Sequence, residues 1–402
     1  MNAVVAFVVV MAVWTVSEFV ARKTKSLLSS LFVASLIFLV GFLTGIFPED
    51  LLQASSLLGL AGVVVGFVIV HLGTMISLDD FKKQWKTLLV GISAVVGIGV
   101  LLLAAAYAFG TDVTDSEYEG LVATARDFAL AGTGALSGGT ISVLIVQEAA
   151  LGVGLTAVAV FPVLIAALQG LVGFPLTSII LRKEAARVRD AYRAGEIEAP
   201  APVEEGAAKE GRLPSFLRNT PGTLFIVGVV VLLSIGINNL TDGVLNTFVM
   251  ALIFGIVLRT TGVFKPSVLA GIDSFGLMML AIMILVFGPL ATVEPSDVAA
   301  LAVPLLVTFL VGLAGLAGFS VLMGRFLGYS AAMSLAIGLT SLYGFPGTMI
   351  LSQEAARGAG ETEDEVAAIE GQILPKMIVA GFSTVTITSV VITSFIAGGI
   401  GG

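Results

Sequence analysis

The chain has 402 residues, 57% of them hydrophobic and only 12% charged, with a mean hydropathy of +1.06 and a net charge of −8. A soluble fold of this length cannot hide that much apolar surface, so the composition specifies an integral membrane protein. The acidic balance argues against a nucleic-acid partner, and the absence of cysteine excludes disulfide and thiol chemistry.

The apolar runs are about 20 residues long, which matches a helix crossing about 30 Å of hydrocarbon at about 1.5 Å per residue. Shorter, alternating barrel strands do not fit. In chain order, spans are expected at about 2–20, 27–47, 53–78, 87–110 and 154–182, then at about 221–239, 243–260, 266–290, 297–325 and 366–397. The first is read as a retained span because Met1 and Asn2 provide no basic leader. Between the fourth and fifth span of each group lies an extra segment, about 118–152 and about 329–360. These are broken by Gly138 and Gly139, and by the run from Gly344 to Gly347. Such breaks free backbone groups that lipid cannot satisfy, so each must face protein or water.

Charge sets the direction of the spans. With the N-terminus outside, Arg22, Lys23, Lys25, Lys82, Lys83, Lys86, the 182–218 linker, Arg259, Lys265 and Arg325 fall on the cytoplasmic side. The acidic segments 48–50, 111–119, 238–242 and 294–297 fall outside. This holds only if each extra segment leaves and returns on one face. The expectation is therefore an all-α polytopic membrane protein of two inverted repeats, each with five transmembrane helices and a re-entrant helical hairpin. The repeats are 1–182 and 219–402, joined by a flexible cytoplasmic linker, 183–218, that carries no site. The expected location is the inner membrane, multi-pass, with both termini extracytoplasmic.

An internal repeat supports the division. Residues 135–150 (ALSGGTISVLIVQEAA) return as 341–356 (SLYGFPGTMILSQEAA), an offset of 206 (341 − 135), while Thr44 to Phe47 matches Thr261 to Phe264 at 217 (261 − 44). The shift places about eleven (217 − 206) extra residues in the first repeat, expected in the 79–86 loop. Matching Pro162 to Pro375 gives 213 (375 − 162) and implies about seven (213 − 206) added residues in the acidic stretch 361–365. It also pairs Lys376 with Val163.

The hairpin tips are the leading site. A helix that starts just after a break points free N–H groups and its positive dipole end outward. Here helices are expected to start near Thr140 and Thr348. Ser137, Gly138, Gly139 and Thr140 in one tip, and Ser341, Gly344, Gly347 and Thr348 in the other, form a candidate binding site for an anionic substrate. Ser142, Ser352 and Thr384 offer oxygen to a coupling ion. The alternative is that small residues merely allow close helix packing. Lys376 lies about ten residues into the last span, deep enough that it needs a cavity, an anion, a snorkelling path or Glu370. His71, Glu148 and Glu354 are candidates for gating or proton-linked roles, with packing or a solvated helix end as the alternatives. Asp273 reads as a helix-end charge, and Arg126 and Asp127 as a mutually neutralising pair. The sequence carries no phosphate-binding loop, zinc-ligand cluster or enzyme motif, so no catalytic residue, cofactor or metal beyond sodium is expected.

The five-plus-five arrangement, the tips at 137–140 and 343–347, and the third-span ending from His71 to Asp80 resemble the sodium/glutamate symporter family and, more distantly, the 2-hydroxycarboxylate transporters. The resemblance implies sodium-coupled uptake of a small carboxylate, such as glutamate or a di- or tricarboxylate. It implies an elevator-like movement of the hairpin-bearing domain against a homodimeric scaffold, with the tips as substrate site. A proton-coupled antiporter or exporter is the alternative.

Overall fold

The computed structural model describes residues 1–75, 82, 84–109, 113–114, 122–197, 214–241, 245, 247–270, 272 and 274–401. The acidic loop residues 115–121, the linker residues 198–213, and Asp79, Asp80, Asp242 and Asp273 lie outside the described residues.

The first half contains α1 (Ala3–Lys23), α2 (Ser30–Leu43), α3 (Leu51–Ala54), α4 (Leu57–Met75), α5 (Trp85–Phe109), α6 (Ala125–Leu136), α7 (Thr140–Gly152) and α8 (Thr156–Arg193). The second contains α9 (Thr220–Leu240), α10 (Thr247–Thr260), α11 (Phe275–Ile284), α12 (Pro295–Ala300), α13 (Ala302–Phe326), α14 (Ala331–Leu339), α15 (Gly347–Ala359), α16 (Glu363–Phe382) and α17 (Ser389–Ala397). A two-residue pairing of β1 (Val113–Thr114) with β2 (Val122–Ala123) precedes α6. Polar residues set the helix starts where apolar runs cannot. Ser29, Thr124, Asn219, Ser330 and Thr362 each accept a backbone N–H of the following first turn. Asp127 closes the Thr124 cap into a reciprocal box.

Eight helices among the described residues are long and apolar enough to cross a membrane, so the chain is a polytopic, all-helical membrane protein. Two expected spans are shorter than anticipated. Instead of 27–47 and 243–260, α2 and α10 each have 14 residues, about 21 Å at about 1.5 Å per residue. Both helices end at the same kind of turn, which in α2 comes four residues before the expected end, whereas α10 stops at the expected Thr260 and is shorter at its start. Gly45 (φ +70°) and Gly262 (φ +74°) turn the chain left-handed, and the N–H of Phe47 then donates to Gly41 O (2.9 Å) as that of Phe264 does to Leu258 O (3.0 Å).

The helix map repeats. Helices α1 and α9 both have 21 residues, α2 and α10 both 14, and α5 and α13 both 25, all offset by 217 (220 − 3, 247 − 30, 302 − 85). Helices α7 and α15 both have 13 residues, and their starts, like those of α8 and α16, are offset by 207 (347 − 140, 363 − 156). This register corrects three expectations. The extra residues of the first half are not in the 79–86 loop: 110–124 joins α5 to α6, whereas only 327–330 joins α13 to α14. The acidic stretch 361–365 contains no insertion, because α7 to α8 and α15 to α16 have connections of equal length, 153–155 and 360–362. Lys376 therefore aligns with Gln169 (376 − 207) rather than Val163, and the two prolines occupy different turns of their helices. The linker expectation is also corrected: residues 183–193 continue α8 as a helix, with Glu184, Ala185 and Val188 buried and three polar side chains partnered as described below.

Two compact units divide the chain, and both draw on both halves of the sequence. The smaller comprises Met1–Val8, Asp50–Trp85 and Pro200–Leu285; the larger comprises Val9–Glu49, Lys86–Ala199 and Val286–Gly402. Glycine sets the closest helix crossings within each. In the smaller unit, a Cβ on Gly73 would overlap Leu252 O, and one on Gly255 would overlap Val70 O. In the larger, Gly97 and Gly315 are each pressed against the other's carbonyl oxygen, and Ser93 Oγ donates to Phe319 O at 3.0 Å nearby. The ring of Phe287 packs against Phe38 (5.0 Å) and Trp14 (6.2 Å) in the same unit.

Gly97→Val should lower the thermal midpoint of the purified protein, at a cost of about 1–3 kcal/mol, because its obstacle is backbone that cannot rotate away. Gly318→Ala, which meets nothing within 4 Å, should leave the midpoint unchanged or raise it.

Candidate functional site

Every candidate residue except His71 belongs to the larger unit. Three stretches that depart from α-helix meet there. The first is the break between α6 and α7 at Ser137–Gly139. The second runs from the 3₁₀ turn Thr340–Leu342 to Pro346, ahead of α15. The third is a π-helical stretch, Ser383–Thr388, between α16 and α17.

Glycine makes their approach possible. Gly138 adopts φ +82°, and a Cβ there would overlap the carbonyl oxygen of Ser341, so the two tips touch through backbone. A Cβ on Gly139 would overlap Val385 O and lie 2.6 Å from Ser389 Oγ. Gly344, at φ +54°, is pressed against Val385, with a Cβ position 2.9 Å from its Cγ2. The π-helical stretch thus lies against both tips. Gly381, just ahead of it, meets Thr348, its Cβ position 3.3 Å from Thr348 Oγ1.

Aromatic side chains pin the second tip. Tyr343 packs on Phe174 at 5.3 Å between ring centres and donates its hydroxyl to Thr177 Oγ1 at 3.0 Å. Phe345 stacks on Phe382 at 5.6 Å. Gly347 makes room for the Tyr343 ring, its Cβ position only 2.7 Å from Cδ2.

The hydroxyls sort into two groups. Ser137 donates to Gly134 O (2.6 Å), Ser352 to Thr348 O (2.6 Å), Ser389 to Val385 O (2.6 Å), and Thr384 to Ala380 O (2.8 Å) while also meeting Thr340 Oγ1 at 3.2 Å. These bonds return the polar group to its own helix. By contrast, Ser142, Ser341, Thr348 and Thr393 are fully buried, and their hydroxyl oxygens have no hydrogen-bond partner in the protein. Enclosed polar atoms of this kind cost about 1–3 kcal/mol each and call for an explanation. Ser142 and Thr348 are matched in the sequence repeat at its offset of 206 (348 − 142), one residue off the helix-start offset of 207. Each sits in the first turns of a helix whose N-terminus has no side-chain cap, behind Gly139 and Pro346 respectively. The arrangement gathers hydroxyl oxygens and uncapped helix starts, which suits a ligand with anionic oxygens and a hard cation.

The other candidates are placed elsewhere. Thr140 is on the exposed side of α7. Lys376 Nζ donates to the carbonyl of Gln372, one turn back on α16, and the charges that act on it are Glu184 and Arg187. Its hydrogen bonds thus go to Gln372 on its own helix. Glu148 is exposed, whereas its repeat partner Glu354 accepts the Ser30 N–H at 3.0 Å and Ser26 Oγ donates to its carbonyl oxygen at 2.8 Å. Asp127 accepts from Thr124 and from the N–H of Gly401 (2.8 Å). His71, in the smaller unit, is buried; its Nδ1 accepts the Leu269 N–H at 3.0 Å and its ring lies 4.7 Å from Phe275. Thr393, Ser389 and Gln169 were not singled out from the sequence. Gln169 is buried with Oε1 unpartnered. Its alignment with Lys376 in the repeat was the available signal, and the proline match concealed it.

Comparison with protein-family models and with curated proteins gives no match to this chain.

Thr348→Val and Ser142→Ala test whether the unpartnered hydroxyls serve a ligand. In ligand-free, sodium-free buffer each variant should be as stable as the parent or up to about 1 kcal/mol more stable, since a buried hydroxyl without a partner is removed. Thermal shifts produced by sodium or by a carboxylate ligand should shrink in both. A large loss of stability without ligand would show instead that the hydroxyls are structural.

Proposed function

We propose that the chain is a secondary active transporter that imports a small carboxylate, such as glutamate or a di- or tricarboxylate, driven by sodium. The observation that carries this reading is the pair of repeat-matched, fully buried, unpartnered hydroxyls of Ser142 and Thr348 beside two helix breaks that touch. A purely structural repeat has no reason to leave polar atoms unpartnered at both matched positions.

The contacts at the hairpin ends support a re-entrant path for each. Asp127 near the start of the first and Val153 just beyond its end both meet Gly401: the Gly401 N–H donates to Asp127 at 2.8 Å, and a Cβ on Gly401 would lie 2.9 Å from Val153 Cγ2. Ser330 and Ala359, the two ends of the second, both meet the end of α8, through Glu184 (2.6 Å) and Arg189 (3.2 Å). Each segment, in this reading, leaves and returns on one face, as two inverted five-span repeats require. In this reading the uncapped starts of α7 and α15 receive the substrate carboxylates. The hydroxyls of Ser142, Ser341 and Thr348 add hydrogen bonds, and carbonyl oxygens around the π-helical stretch serve sodium. Lys376 offsets substrate charge by leaving Gln372 and turning its flexible stem toward the tips. The hairpin-bearing unit moves in an elevator-like manner within an inner-membrane homodimer whose termini are extracytoplasmic.

The proton-coupled alternative draws on Glu354, the one enclosed carboxylate among its three candidates. His71 Nδ1 is already occupied by Leu269, and Glu148 is exposed.

Uptake of labelled glutamate and of a panel of di- and tricarboxylates into proteoliposomes, with sodium and proton gradients imposed separately, tests the reading. Accumulation should follow sodium, and movement that follows the proton gradient and ignores sodium would overturn it. Lys376→Met should weaken binding of dianionic substrates about tenfold more than that of monoanionic ones, equivalent to about 1.4 kcal/mol. Equal losses would remove Lys376 from the substrate site.

A further inference from the structure

Beyond its membrane span, α8 continues as a charged helix. Within it Arg187 pairs with Glu184 and Asp190 with Arg189, while Glu184, Arg189 and Arg193 also reach the second hairpin and its exit. Glu184, with a side chain 3% exposed, accepts the hydroxyl of Ser330 at 2.6 Å; Ser330 is the residue that caps α14, where the second hairpin begins. Arg187 holds the same carboxylate at 2.6 Å and 3.2 Å. One turn on, Arg189 Nη1 donates to the carbonyl of Ala359, where α15 and the hairpin end. A further turn on, Arg193 forks onto Glu365 (2.7 and 3.2 Å) and pairs with Glu361 at 3.0 Å, fixing the turn that leads into α16. Glu365 also accepts the N–H of Glu361 at 2.8 Å, so this turn is stapled to itself and to Arg193.

The contacts follow the hairpin in order, from start to end to exit, along one helix that the sequence alone reads as a featureless linker. The repeat sharpens the point. At the register of 207, residues 189–193 of α8 correspond to 396–400, next to Gly401, which holds the first hairpin at Asp127. The first hairpin thus meets the main-chain N–H of Gly401 through the Asp127 carboxylate, and the second meets a set of ionised side chains on a helix that leads into the linker.

We infer that the 184–193 extension is a clamp, in which Glu184, Arg189 and Arg193 are positioning residues that keep the second hairpin seated and so set how readily its tip opens toward the linker side. The inference rests on the re-entrant reading of 331–359 given above. Partly exposed ion pairs suit such a device, because they are strong enough together to bias an opening and weak enough singly to be released. Changes in the linker that bend or withdraw this helix then act on the hairpin without touching the tips.

The natural sequence contains no cysteine, so single cysteines at the tips report their access directly. T348C and S142C are labelled with a membrane-impermeant maleimide in inside-out and right-side-out vesicles, with and without R189A/R193A. The clamp predicts that R189A/R193A speeds labelling of T348C from the linker side by about 5- to 30-fold, the range expected for a local equilibrium losing a contact of this size, and leaves S142C unchanged. R193K, which keeps the charge and loses the fork, gives an intermediate rise and takes the place of the double variant should that fail to fold. No change at T348C, or an equal rise at both tips, overturns the clamp while leaving the re-entrant reading intact. Labelling of T348C only from the side opposite the linker overturns the re-entrant reading and the clamp with it.

Discussion

A helix cannot be broken inside a membrane unless something other than lipid meets the backbone and side-chain groups it exposes. The larger unit meets this constraint by bringing its breaks together. Gly138 lies against Ser341, Gly139 against Val385 and Ser389, and Gly344 against Val385. The π-helical stretch of the last long helix is the common surface, and the arrangement depends on glycine at each close approach because any Cβ would collide with backbone or Val385. Most polar groups near the junction are satisfied locally, through hydroxyls that return to carbonyls one turn back on their own helix. Those that are not, Ser142, Ser341, Thr348 and Thr393, mark where the protein alone does not complete the junction. The functional reading follows from that remainder.

Two nearly equivalent halves build this junction with different supports. The second tip is pinned by Tyr343 and Phe345 on two separate helices, and its ends are held by the charged extension of α8. The first tip is built of Ser137, Gly138 and Gly139, and its outer end is held by Gly401. The repeated Gln-Glu pairs diverge in the same way: Glu354 is tied to the turn before α2, and Glu148 is exposed. Sequence symmetry therefore does not carry over into equal contacts, and the two hairpins are met at their ends by different groups.

Much of the architecture was legible in the sequence because hydrophobic run length and glycine breaks act locally. The helix starts at Thr140 and near Thr348 follow from the breaks before them, and the long apolar runs appear as long helices. What the sequence hid depends on register and tertiary partners. The offset of 217 persists through α5 and α13, so the extra residues belong to 110–124, a position that motif spacing alone cannot fix. Helix α2 stops early because Gly45 adopts a left-handed turn, a detail that a hydropathy window averages away. Depth along a helix made Lys376 a prime candidate, yet its long stem reaches back to Gln372, a choice set by rotamer and neighbours. The helical extension of α8 is hidden in the sequence because 183–218 lacks an apolar period and contains the Pro-rich stretch from Ala199; the partners at 330, 359, 361 and 365 show what its charged residues hold.

The central claim is that the two tips and the last helix's π-helical stretch form a single ligand site. The most direct measurement is an experimental structure of the purified protein in sodium and a carboxylate that protects it against heat. The account predicts ligand density at the junction of the two breaks, within hydrogen-bonding distance of the Thr348, Ser341 or Ser142 hydroxyls, and retained contact between Gly138 and Ser341. Ligand density away from both tips, with those hydroxyls still enclosed and unpartnered, would contradict it.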